Sequence, residues 1–313
     1  MKDLKVKNTE IFGIQRKIVA NMTTESWETI PHVSYLYEPD VTAFFREFRK
    51  MNEGRAKDDR ISVNTLMLKV IAEGLKRAPV MNSHMEYKRG LVRGKLVTYE
   101  NINISMPTIL PDGSMMTLNI RDIENKNLDD ISEQIKDSVR RANNTDMNEV
   151  MFEVSLDNTL NALRHGQIRQ TILRLIGSKT GKNKVKTLHG HAKRRYLSIP
   201  ENDRLTKRDL EQGTVTISNI GSTVRGVHGE FALLEIVPPQ VTVFGIAPIQ
   251  DRPAVINDEI SGEKSVGIRQ VIPICIAFDH RAIDFGDIVP FLKCLDGIFA
   301  DPEIIYTWRE KRN

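Results

Sequence analysis

Cysteine is nearly absent from this sequence: it occurs twice in 313 residues, as Cys275 and Cys294. Two such residues build no disulfide framework and offer no Cys-x-x-Cys metal pair, so a structural metal is not expected and a reducing, cytoplasmic setting is. Long apolar runs are also missing. No stretch approaches the ~20 residues that a membrane span requires. Met1 to Lys7 is charged where a secretory signal would be apolar. Charge of one sign is not in great excess, with 45 Lys and Arg against 41 Asp and Glu. The resulting net charge of +4 does not by itself imply nucleic acid, because a small polyanion suits a mildly basic protein equally well. Internal repeats and low-complexity linkers are lacking too.

What is present is the patterning of a globular α/β protein, 40% hydrophobic and 27% charged. Arg16 to Met22 predicts a short helix in an otherwise irregular arm, closed off by Pro31. Val33 to Tyr37 alternates as a strand does. A helix follows from Asp40 or Thr42, with Phe44, Phe45 and Phe48 on one face. Ser62 is placed to cap a further helix reaching about Arg77. Strands are expected at Leu91–Thr98, Ile102–Ile109 and Met115–Ile120, with Pro111-Asp112-Gly113 as the turn between the last two. Leu128 to Ala142 has helical spacing. After a long intervening segment, strands are expected at Thr214–Ile217, Val241–Ile246 and Val271–Phe278, and a last long helix at Gly286–Phe299. Asp251-Arg252-Pro253 reads as a turn before a hairpin.

Two segments carry chemistry-bearing side chains. His280 follows an apolar strand and precedes a helix, a position that is rigid on one side and reaches solvent on the other. Asp284 lies four residues on. By itself this spacing is common, and a surface charge pair explains it equally well. Gly213 to Gly221 is a β-rich run ending in Ser218-Asn219, where a strand-end hydroxyl could donate to an oxyanion. Alone, it is equally a strand entering a turn.

The collinear order of many short segments is far more specific. Gln15–Met22, Ile30-Pro31-His32-Val33, Asp40-Val41-Thr42, Ser62-Val63-Asn64, Tyr99–Ser105, Gly213–Gly221, Pro238-Pro239-Gln240, Asp251-Arg252-Pro253 and Asp279–Asp284 resemble the catalytic domain of the acyltransferases of 2-oxo acid dehydrogenase complexes. That family is related to chloramphenicol acetyltransferase. The resemblance implies a single α/β domain over residues 1–313, a mixed sheet covered by helices, with 145–211 as a family-atypical helical and basic insertion. It also implies acyl transfer between coenzyme A, as substrate, and a thiol or small-molecule acceptor. On this reading His280 is the general base and Ser218 stabilises the oxyanion. Asp284 is structural and pairs with Arg16, while Asn219 helps to fix the oxyanion segment. The family forms trimers with His and Ser supplied by neighbouring chains. No lipoyl domain is recognised, so a dihydrolipoyl group would come from a separate lipoylated protein. The charged end Trp308–Asn313 points to a plain trimer.

Two departures from the family pattern stand out. Phe285 replaces the glycine expected directly after Asp284, and this supports an alternative, a catalytically retired trimeric scaffold or regulatory binding protein. The joint presence of His280, Ser218, Asp284 and Arg16 argues against it. The second departure is the basic insertion, with Lys179, Lys182, Lys184, Lys186, Lys193, Arg194 and Arg195. It reads as a solvated surface or as a clamp for coenzyme A phosphates, with Lys182, Lys184 and Arg252 as candidate contacts. Nucleic acid is disfavoured, since Tyr196 is the only stacking residue there. His32 is expected to pack, and His84, His165 and His228 are isolated. His189 and His191 are spaced wrongly for a helical zinc pair.

Overall fold

The computed structural model describes residues 4–109, 115–164, 172–173, 176, 187–223, 226, 229–257 and 262–309. The turn at Pro111–Gly113, the histidines His165 and His228, and Lys179, Lys182, Lys184 and Lys186 lie outside the described residues. The chain divides into two compact units. One comprises residues 1–24 and 139–211, the other 25–138 and 212–313.

In chain order the main helices are α1 (Ile14–Thr29), α2 (Thr42–Asn52), α3 (Val63–Arg77), α4 (Leu128–Asn143), α5 (Met147–Arg164), α6 (Gly190–Leu197) and α7 (Phe285–Ala300). The strands are β1 (His32–Tyr37), β2 (Ser83–Lys88), β3 (Arg93–Thr98), β4 (Ile104–Ile109), β5 (Met115–Ile120), β6 (Val215–Asn219), β7 (Thr242–Ile246), β8 (Gln250–Asn257), β9 (Lys264–Val271) and β10 (Ile274–Asp279).

The larger unit is built on a six-stranded mixed sheet in the order β1-β10-β7-β6-β4-β5. β4, β6 and β7 run parallel, and β1, β10 and β5 complete it with antiparallel pairings. The register puts large apolar side chains on one face. Ile276 stands opposite Phe244, and Phe244 opposite Ile217. Helices cover this face: Phe291 of α7 stacks on Phe244 at 5.2 Å, and α3 is buried along most of its length. Such side chains leave water only where a second layer meets them, and each contributes about 1.5–3 kcal/mol when fully buried. The opposite face is smaller in side-chain volume. There Val243 and Ala277 pack with Ile30, Ile236 and Leu234.

Local chemistry explains the element ends. Ser62 caps α3 by accepting the Thr65 N–H at 3.0 Å. Phe44, Phe45 and Phe48 of α2 are buried, as their spacing implies. Three expectations fail. The apolar run Val271–Phe278 is two strands rather than one, because Ile272 and Pro273 interrupt it, and proline has no N–H for the ladder. Asp251-Arg252-Pro253 is no turn; it lies within β8, with Pro253 opposite Ile268 in a two-stranded ribbon. β2 also forms where no strand was expected, pairing with β3 from Ser83↔Thr98 to Lys88↔Arg93.

The smaller unit is helical and charged. Arg141 makes paired hydrogen bonds to Asp209, and Lys207 pairs with Asp157. Glu149 is almost fully buried and lies 3.2 Å from Lys193. Arg204 lies over the Tyr196 ring. Part of the basic segment is therefore neutralised internally. No helix of the described residues is long and apolar enough to cross a membrane, and no cluster of metal-ligating side chains occurs among them.

Candidate active site

His280 stands just beyond β10, on a turn whose backbone is tied down residue by residue. Its own N–H donates to Pro31 O at 3.1 Å. The carbonyl of Asp279 accepts from Ala282 N at 2.9 Å and from Ile283 N at 3.1 Å. The His280 side chain nevertheless remains 52% exposed. Its Nδ1 lies 3.1 Å from Asp284 Oδ1 and 3.4 Å from Ile283 O. Both neighbours are acceptors, so the ring proton sits on Nδ1 and the lone pair of Nε2 is left to take a proton from elsewhere. Asp284 therefore orients the imidazole directly. It also stands at the N-cap of α7, where the Asp287 carboxylate accepts the Asp284 N–H at 2.8 Å.

Phe285 is the first residue of α7. Among the described residues only Val92 and Asp122 are non-glycine residues of positive φ, so position 285 makes no demand for glycine's backbone freedom. The Phe285 ring meets Tyr35 edge-on, with centroids 5.2 Å apart. Tyr35 pairs with Ile276, four residues before His280, so the ring is engaged back along the sheet. The objection that phenylalanine here resists the required backbone is removed.

Ser218 is the penultimate residue of β6 and is half-buried. Asn219, at the strand end, is buried and donates to Asn64 Oδ1 at 3.3 Å. This partner gives a role to Asn64, which sequence reasoning left unassigned. The start of β6 is anchored separately. Gly213 approaches β4 so closely that a Cβ there would sit 2.3 Å from Asn103 O, which only glycine permits. Gln240, buried, donates to Gly213 O at 2.8 Å and accepts from Thr216 Oγ1 at 2.7 Å.

The sheet does not bring His280 and Ser218 together. Ser218 aligns with Gly245 on β7, and Gly245 with Cys275 on β10. β10 then runs on through Asp279 to His280, five residues beyond Cys275, or roughly 17 Å. Two strand spacings of about 4.8 Å separate the strands laterally. No reacting atom can lie within hydrogen-bonding reach of both side chains of one chain.

The remaining candidates fall elsewhere. Arg16 is exposed on α1, in the smaller unit, whereas Asp284 is in the larger. Arg252 is engaged: it pairs with Glu38, and its Nη2 lies 2.8 Å from Glu230 Oε2. A phosphate would have to displace two carboxylates there. Lys182 and Lys184 lie outside the described residues. His32 is fully used, with Nε2 accepting the Ile236 N–H at 2.9 Å and Nδ1 2.8 Å from Ile30 O. His84 sits between Gly213 O and the Tyr99 hydroxyl, and burial holds its pKa below the ordinary imidazole value. Sequence reasoning assigned no role to Asp279 and Arg281, which clamp the His280 turn. Their signal was adjacency to the histidine.

Comparison with known proteins places this geometry. The family model for 2-oxoacid dehydrogenases acyltransferase (catalytic domain) matches residues 4–155 and 190–306, leaving 156–189 as the unmatched interior. The dihydrolipoyllysine-residue acetyltransferase component of the pyruvate dehydrogenase complex of Rickettsia bellii is 23% identical over 93% of this chain and 52% of its own length. The Corynebacterium glutamicum counterpart is 26% identical over 90% of this chain and 32% of its own length. The chain thus spans about half, or less, of the length of the curated relatives it matches. Among solved structures, Azotobacter vinelandii dihydrolipoamide acetyltransferase superposes with a TM-score of 0.64 at 19% identity, covering 97% of this chain and 96% of that one. A serine, a histidine and an asparagine of that protein are connected with its catalytic mechanism. A probable dihydrolipoamide acetyltransferase from Listeria monocytogenes gives 0.61 at 20% identity, covering 94% of each chain. These likenesses establish a shared fold, and with the matched family model they show that this chain belongs to the catalytic-domain family of the 2-oxoacid dehydrogenase acyltransferases.

Proposed function

We propose that this chain transfers an acyl group between coenzyme A and a thiol, such as a dihydrolipoyl group carried on a separate protein, or a small-molecule acceptor. The observation that carries the reading is the His280–Asp284 contact. It holds Nε2 ready as an acceptor on an exposed, rigid turn of a family acyltransferase domain. A free thiol ionises near ~8.5, so at neutral pH little thiolate exists without a base. His280 takes the thiol proton, the thiolate attacks the thioester carbonyl, and a serine hydroxyl donates to the oxyanion. The departing thiolate then recovers the proton from the imidazolium. No acyl-enzyme is needed, and Ser218 is a hydrogen-bond donor rather than a nucleophile.

Since His280 and Ser218 of one chain lie at opposite ends of the sheet, the site requires Ser218 of a second copy. This supports a homo-oligomer, with a trimer as the proposed form. The cubic core of a pyruvate dehydrogenase complex is one solved assembly of similar fold, with a TM-score of 0.64. In this reading Asn219 steadies Ser218 through Asn64. Lys182 and Lys184 are the proposed contacts for coenzyme A phosphates. Nothing in the geometry of Phe285 favours the scaffold alternative.

The test is release of free coenzyme A from acetyl-CoA with dihydrolipoamide and a panel of other thiols. Wild type turns over and His280→Ala does not. Co-expression of His280→Ala with Ser218→Ala restores part of the activity by forming some intact shared sites. Equal turnover in wild type and His280→Ala removes the proposal, and a stable monomer with full activity removes the shared site.

A further inference from the structure

Asp279 is 1% exposed at the end of β10, directly before an imidazole that is half in solvent. A buried carboxylate is costly unless it is paired and hydrogen-bonded. Here all its observed partners come from one residue. Arg281 donates its backbone N–H to Oδ1 at 3.0 Å, its Nε to Oδ1 at 2.9 Å and its Nη2 to Oδ2 at 2.6 Å. The guanidinium lies over the Tyr87 ring of β2, 5.7 Å from its centroid. His280 is thus straddled by a bidentate ion pair between its two chain neighbours. The Asp279 carbonyl fixes the next two peptides through Ala282 and Ile283, and Pro31 takes the His280 N–H. The whole turn is immobilised while its imidazole stays accessible.

We infer that Asp279 and Arg281 form a positioning clamp that sets the reach of His280 Nε2 in the proposed acyl transfer. The inference rests on that reading of His280 as base. The clamp acts through the base and touches no substrate. Its energetic logic is that of preorganisation: the paired Asp279 and Arg281 charges hold a geometry that would otherwise be lost to turn motion. Displacement of a reacting group by about 1 Å can cost 10²-fold in rate. Arginine is specified over lysine because only a planar fork satisfies both carboxylate oxygens at once. Tyr87 adds a second wall from a separate hairpin, so the fork is held on two sides.

The experiment measures kcat and KM with acetyl-CoA and dihydrolipoamide for full-length wild type, Arg281→Ala, Arg281→Lys, Asp279→Asn and His280→Ala. Thermal melting and oligomer mass are checked for each. Arg281→Ala is expected to lower kcat about ten- to hundredfold with KM within about twofold, because ground-state contacts are untouched. Arg281→Lys recovers part of kcat, since one ammonium can reach one oxygen. Combining Asp279→Asn with Arg281→Ala is no worse than the more damaging single change, as two halves of one clamp are non-additive. Wild-type kcat in a folded Arg281→Ala variant overturns the clamp. So does a rise confined to KM, which would make Arg281 a substrate contact, or an Arg281→Lys variant no better than alanine. Should Asp279→Asn fail to fold, the Arg281 series still decides. Loss of turnover in His280→Ala beside an unaffected Arg281→Ala defeats the clamp alone, whereas no turnover in wild type defeats the acyl-transfer reading itself.

Discussion

The two ends of the central sheet are built from different chemistry. At the His280 end, ionised side chains set the geometry, with Asp284 on the imidazole and Asp279 locked to Arg281. At the Ser218 end, neutral groups predominate, and Asn219 is buried against the Asn64 amide. The difference matches the charges that the proposed acyl transfer would place at each end. A base becomes a cation during the reaction, and a carboxylate close by favours that form. An oxyanion is stabilised by neutral donors and destabilised by any carboxylate nearby. One sheet keeps the two environments apart by its length, so the proposed site needs a second copy to bring them together.

The sharpest way to break this comparison is to remove the base. His280→Ala is expected to lower kcat by about 10²–10⁴-fold in the coenzyme A release assay. Retention of turnover would mean that the charged end is structural only. Next in size is Ser218→Ala, expected to cost about 10²–10³-fold in kcat with little change in melting temperature, because a half-buried hydroxyl is removed. A loss matched by unfolding would instead assign Ser218 to the scaffold.

A third change separates anchoring from chemistry. Gln240→Leu strips buried partners from Gly213 O and Thr216 Oγ1 at the start of β6. It is expected to destabilise by about 2 kcal/mol in urea unfolding, the cost of leaving such a group unpaired. The smallest effect concerns His84, whose pKa burial depresses. Because the folded value lies below the unfolded one, its contribution to stability is complete above about 6.5 and is lost as pH falls towards the folded value. His84→Gln should flatten the fall in urea midpoint between pH 8 and pH 5.5. An unchanged pH slope would place the titrating group elsewhere.

Elements with a single strong period were legible in the chain. The Phe44, Phe45 and Phe48 stripe and the Ser62 cap located α2 and α3 because helical spacing and capping are local. Val271–Phe278 misled because an unbroken apolar run hides Pro273, where the ladder must stop. β2 and β8 went unread for a related reason. Both lie in two-stranded ribbons with mixed, partly exposed side chains, so no clean alternation marks them. Arg252 was legible as a cation but not as an occupied one, since Glu38 and Glu230 are far from it in the chain.

Order and residue type along the chain determined the family and marked His280 and Ser218 as candidates, because each is carried by a short segment with its own chemistry. Tertiary structure alone decided what those segments do to one another. The register of β6, β7 and β10 put Ser218 and His280 out of mutual reach. The backbone at Phe285, which lies outside the positive-φ region, removed an objection that its position beside Asp284 had raised. Spacing along a chain specifies which groups exist; distances between them depend on strand pairings formed by residues scattered across the whole sequence.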